Sequence, residues 1–100
     1  MGISLVPIKP ARNAPRYRGK PGVCDYNWTA WKSLRDWLDE WGVDTSEFCY
    51  GDSGSRISAA TCQKVADAIE AHLPELPKQD RQWLAETVKY WRTCGGFRQS

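Results

Sequence analysis

Residues 26–42 read YNWTAWKSLRDWLDEWG and hold four of the six tryptophans in a chain of 100 residues. Placed at about 100° per residue, Ala30, Trp31, Leu34, Trp37, Leu38 and Trp41 fall within an arc of about 120°. Lys32, Arg35, Asp36, Asp39 and Glu40 lie outside it, the pattern of an amphipathic helix with one buried face. Asn27 suits the N-cap and Gly42 the C′ position, so the spacing predicts a helix over 28–41, about 21 Å long. Trp41 and Leu34 fall near the centre of the arc, and Trp31 and Trp37 at its edges. Trp28 falls about 60° outside it, on the first turn, among charges. Trp31, Trp37 and Trp41 therefore read as core. Trp28 reads as a cover for the base of the preceding segment, or else as an anchor for a partner.

Two more helices follow from the same arithmetic. Ser58 suits an N-cap, with Ile57 and Cys62 as a hydrophobic staple across the helix start. Cys62, Val65, Ala66, Ile69 and Leu73 recur at helical spacing, and Pro74 ends the run. Residues 74–79, PELPKQ, read as a rigid turn. The third helix runs from about Asp80 to Cys94, with Trp83, Leu84, Val88, Trp91 and Cys94 on its apolar face. Gly95 and Gly96 stop it, and Phe97 folds back over its last turn. Residues 42–57 read as a loop pinned by Phe48 and Tyr50. The expected fold class is all-α: a compact three-helix domain, residues 27–100, after an extended proline-rich basic arm, residues 1–26.

Pro7, Pro10, Pro15 and Pro21 exclude a helix from the arm. Ile3, Leu5, Val6 and Ile8 suit a short strand or loop packed on the body. The net charge of +2 conceals an asymmetry. Lys9, Arg12, Arg16, Arg18 and Lys20 give residues 1–23 a charge of +5 with no acid, which leaves the remainder at −3. Such an arm, with Tyr17 as a stackable ring, suits phosphate neutralisation. The bland alternative is a solvated tail.

A chain with 41% hydrophobic and 26% charged residues belongs to the globular class. It has no apolar run long enough to span a bilayer, no convincing secretory signal and no good myristoylation pattern, so the expected location is the cytoplasm. Cys24, Cys49, Cys62 and Cys94 form no CxxC clip. They read as reduced, mostly buried thiols, with two disulfides or a structural zinc site as alternatives.

Catalytic patterns are sparse. Gly51-Asp52-Ser53-Gly54 resembles the nucleophile segment of chymotrypsin-like proteases, but those enzymes place histidine before serine. Here the one histidine, His72, follows it, and the segment reads as a turn into a helix. That helix start, with Arg56, suits an anion. His72 suits a helix C-terminus. Asp36, Asp39 and Glu40 read as a solvated helix face beside Lys32 and Arg35. P-loop, dinucleotide and metalloprotease motifs are absent. The expectation is a non-enzyme with no cofactor and no metal.

The aromatic-rich helix of residues 26–41, the GD…IS-A turn of residues 51–60 and the W…CGGF close of residues 91–97 resemble a family of small bacterial and phage or prophage proteins. The usual form has one residue between GD and IS; this chain has Ser53-Gly54-Ser55-Arg56. The resemblance implies a mobile-element protein that acts by binding host machinery, with anti-CRISPR inhibitors as the sharpest example. A body of −3 is too weakly acidic to imitate a phosphate lattice, so steric docking is the better fit to that role.

The functional expectation is an inhibitor that binds a host protein or nucleoprotein complex and blocks nucleic-acid or subunit access. The alternative is a small nucleic-acid-binding protein. Two contact surfaces are expected. One is the arm, with Arg12, Arg16, Tyr17, Arg18 and Lys20. The other is the outer face of the first helix, with Trp28, Lys32, Arg35, Asp36, Asp39 and Glu40.

Overall fold

Ile3 and Leu5 alternate with Ser4 and Val6, a period of two that suits a strand with one buried side. In the computed structural model, which describes residues 2–17, 20–21, 24–48 and 56–99, this segment is strand β1 (Gly2–Pro7). A hairpin of β2 (Arg16–Tyr17) and β3 (Lys20–Pro21) follows, then β4 (Cys24–Asn27) and helix α1 (Trp28–Glu40). Next come β5 (Arg56–Ile57), α2 (Ala59–His72), a 3-10 turn at Leu73–Glu75, α3 (Lys78–Thr93) and β6 (Phe97–Gln99). The all-α expectation is therefore corrected: three helices pack with a four-stranded antiparallel sheet of order β4-β1-β6-β5.

The physical reason is the brevity and remoteness of the strands. Segments of two to six residues carry almost no periodicity. Their partners are distant: Leu5 faces Cys24 on one side and Gln99 on the other. The prolines that exclude a helix lie where strands tolerate them. Pro7 ends β1, and Pro21 belongs to the two-stranded hairpin.

One side of the sheet joins the core through Ile3, Leu5, Tyr26, Ile57 and Phe97. From α1 the fully buried residues are Trp31, Leu34 and Leu38, while Trp37 and Trp41 are half-buried. The buried arc is thus rotated toward Trp31, because Tyr26 of β4 covers that side with its ring centroid 5.7 Å from Trp31. Phe48 stacks on Trp31 at 5.2 Å and on Trp91 at 5.7 Å, and Phe97 meets Trp91 edge-on at 5.0 Å.

The helix ends follow their capping residues. Asn27 Oδ1 accepts from the Ala30 amide at 2.7 Å, and Ser58 Oγ from the Thr61 amide at 3.2 Å. Gly42, at φ 78°, closes α1 in a Schellman arrangement: its amide donates to Asp39 O and the Val43 amide to Leu38 O. The start of α2 is further held by Glu47, whose carboxylate accepts from the Ser58 amide and hydroxyl.

The C-terminus of α3 is closed by the first segment of the chain. The amides of Ile8, Lys9 and Ala11 donate to the carbonyls of Gly96, Cys94 and Thr93 at 2.8–2.9 Å. These bonds satisfy carbonyls that a helix end otherwise leaves open. Gly95, at φ 65°, permits the approach; a Cβ there would lie 2.6 Å from Lys9 O.

Candidate anion-binding face

The sheet's alternation places Arg56 and Arg98 on its outer side. Phe97 and Gln99 are buried while Arg98 between them is exposed, and Ile57 is buried while Arg56 is exposed. The two arginines are also register partners across β5 and β6. Directly opposed Cα atoms in an antiparallel ladder are only about 4.5–5.5 Å apart. Two guanidinium forks rooted so close can converge on one phosphate or carboxylate. Val6, the register partner of Arg98 on its other side, joins Pro7, Ile8, Arg56 and Arg98 around an open groove of about 250 Å³. Ile8 is half exposed beside it.

On the strands beside the pair the charge has one sign. Lys9 and Arg12 lie exposed on the segment that runs on from β1. No acid occurs in β1, residues 8–13, β5 or β6, and Arg56 and Arg98 form no ion pair among the described residues. The acid on the sheet, Asp25, belongs to β4 at the opposite edge, where it accepts from Ser4 Oγ at 2.6 Å. An uncompensated cross-strand pair of like charges costs stability unless an anion offsets it.

Sequence reading brings Arg56 forward as an anion ligand but does not single out Arg98. The signal for Arg98 was the alternation of Phe97-Arg98-Gln99, which is legible only once those residues are known to be a strand. The anion pairing of Arg56 with the start of α2 is not formed: Glu47 already occupies that helix start.

The arm residues fall in several places. Arg12 is exposed, Arg16 and Tyr17 lie on β2, and Lys20 lies on β3. Arg18 lies outside the described residues, as do Cys49, Tyr50 and the GDSG segment with the inserted Ser53, Gly54 and Ser55. On α1, Lys32 Nζ pairs with Asp36 at 2.9 Å, both well exposed. Asp39 accepts from Thr45 Oγ1 at 2.7 Å, and Arg35 also has a partner. The α1 charges are thus largely engaged within the chain. Trp28, 39% exposed, is the large apolar side chain that this face offers outward.

Two of the four cysteines are placed in the interior. Cys62 and Cys94 are buried free thiols. Hydrogen bonding to Cys94 and burial push the Cys62 thiol up, so it stays protonated. Among the described residues no cluster of three His, Cys, Asp or Glu side chains forms a metal site, and no helix is long and apolar enough to cross a membrane. His72 stacks on Trp41 at 4.5 Å and meets Glu75 at 3.3 Å. No protein family, curated protein or solved structure matches this chain.

Proposed function

We propose that the protein is a cytoplasmic, non-enzymatic binding protein that engages nucleic-acid phosphates through the outer side of its sheet. The opposed pair Arg56 and Arg98, exposed and without an acid on the neighbouring strands, carries the reading. Lys9 and Arg12 extend the same positive surface. Val6, Pro7 and Ile8 give the groove an apolar wall, against which a sugar or base edge packs. An inhibitor that occupies the nucleic-acid path of a larger complex would use the same surface.

Fluorescence anisotropy with a labelled single-stranded oligonucleotide at low salt tests this. Binding is expected, and Arg56→Gln with Arg98→Gln should weaken it by at least about tenfold while leaving the circular dichroism spectrum unchanged. Absence of binding at low salt, or equal binding by the double variant, would refute the reading.

A second reading, a protein partner docked on α1, is favoured by Trp28. Exposed tryptophans that a partner buries are common hot spots, and truncating one costs about 2 kcal/mol or more of binding energy. Trp28→Ala should then abolish capture of that partner without altering oligonucleotide binding.

A further inference from the structure

A second groove lies at the other chemical extreme. It has a volume of about 200 Å³ and runs between the end of α1 and the turn that joins α2 to α3. Its wall is a stack of rings: Trp37 and Trp41 are parallel within 7°, and Trp41 and His72 within 3°. Trp83 braces Trp37 from α3, its indole N–H fixed on Asp80 at 2.9 Å. Leu76 and Pro77 form an apolar floor, and Glu40 and Glu75 stand at the rim. Among the described residues Glu40 makes no hydrogen bond or ion pair, and Glu75 meets only the His72 ring. Among the described residues no lysine or arginine lines the groove; nearby Arg81 is turned onto the Leu76 carbonyl at 2.9 Å.

Flat aromatic rings with carboxylates beside them are complementary to one kind of side chain. A guanidinium is planar, stacks on indole faces and donates two parallel N–H bonds to a carboxylate. An apolar floor beside tryptophan rings also suits proline, which docks in aromatic grooves as an extended, preformed helix. We propose that this groove binds an arginine side chain presented by a proline-containing peptide, with Glu40 and Glu75 holding the guanidinium and the ring stack extended by it. The site is separate from the arginine pair on the sheet and opposite to it in charge, so one molecule can hold an anionic and a cationic ligand together.

The test uses the full chain and three blocked peptides: Pro-Arg-Pro, the same peptide with citrulline, and the same with lysine. Citrulline keeps the planar shape of arginine and removes its charge. Binding is followed by NMR through the indole N–H signals of Trp37 and Trp41, assigned with Trp37→Phe and Trp41→Phe. The arginine peptide should shift both signals saturably, and the citrulline and lysine peptides should bind more weakly, the former by at least about tenfold. Glu40→Gln with Glu75→Gln, both at exposed positions, should reduce the arginine affinity by a similar factor without changing the fold. No saturable shift, equal binding of citrulline, or an affinity untouched by the two glutamines would each overturn the proposal.

Discussion

Trp91 and Trp31 are equally buried, yet their indole nitrogens meet different surroundings. Trp91 Nε1 donates to the Tyr26 hydroxyl at 3.0 Å, and Tyr26 in turn donates to Thr87 Oγ1 at 3.2 Å. Trp31 Nε1 is buried with no hydrogen-bond partner among the described residues. A buried donor left unpaired costs roughly 1–3 kcal/mol, so removing it returns part of the loss that truncation causes. Trp91→Phe is therefore expected to destabilise the protein by about 1–2 kcal/mol more than Trp31→Phe, as read from urea unfolding midpoints. Equal losses would mean that the Tyr26 bond contributes nothing. The four tryptophans of the opening stretch now have separate roles. Trp31 fills the core, Trp37 and Trp41 wall the groove with His72, and Trp28 is exposed at the first turn. Helical phase separated Trp28 from the others correctly. It misplaced Trp31 at an edge because phase alone does not reveal that a strand covers one flank of the helix.

The caps and turns give the clearest tests between elements. Gly42 and Gly95 both have positive φ, but a Cβ at Gly42 meets open space whereas one at Gly95 strikes the Lys9 backbone. Gly42→Ala should cost only the left-handed strain of about 1–2 kcal/mol. Gly95→Ala should cost more, because it also displaces the segment that closes α3, and amide exchange at Ile8, Lys9 and Ala11 should accelerate in that variant alone. Glu47 supplies a pH test at the start of α2. The Thr61 hydroxyl, with the Ser58 amide and hydroxyl, holds its carboxyl below the ordinary glutamate value. A carboxylate favoured by the folded state stabilises it above the unfolded value, about 4.3, and that contribution fades as pH falls through the lower folded value. The stability gap between the native chain and Glu47→Gln should thus be widest near neutrality and close in acid; a gap independent of pH would remove Glu47 from the cap. These helix ends were legible beforehand, since Asn27, Gly42 and Ser58 each act through local geometry. The strands were not, because Cys24–Asn27, Arg56–Ile57 and Phe97–Gln99 are defined only by partners far away in the chain.

At the scale of the molecule, the basic first segment is part of the fold. β1 joins β4 to β6, and the residues after it close α3. Deleting residues 1–8 should abolish cooperative unfolding and near-ultraviolet dichroism, where loss of a mere solvated tail would leave both intact. The charge asymmetry seen in the sequence acquires a location in the same way. Lys9, Arg12, Arg56 and Arg98 lie on the strands or beside them, whereas the described acids other than Asp25 lie on the helices and their connections. On the helix side these charges cross-link elements: Arg92 of α3 reaches Glu70 at 2.8 Å and Asp67 at 2.9 Å on α2. The sum of charge gave the asymmetry, but Arg56 and Arg98 become a pair only through the register of β5 and β6. The most direct measurement of that pair's role is the slope of log binding constant against log salt for a single-stranded oligonucleotide. Each phosphate neutralised on a single strand contributes about −0.7 to the slope. A steep slope is expected for the native chain, and it should become shallower by about 0.7, one shared phosphate, in the Arg56→Gln, Arg98→Gln variant. A slope unchanged by removing both arginines would contradict it.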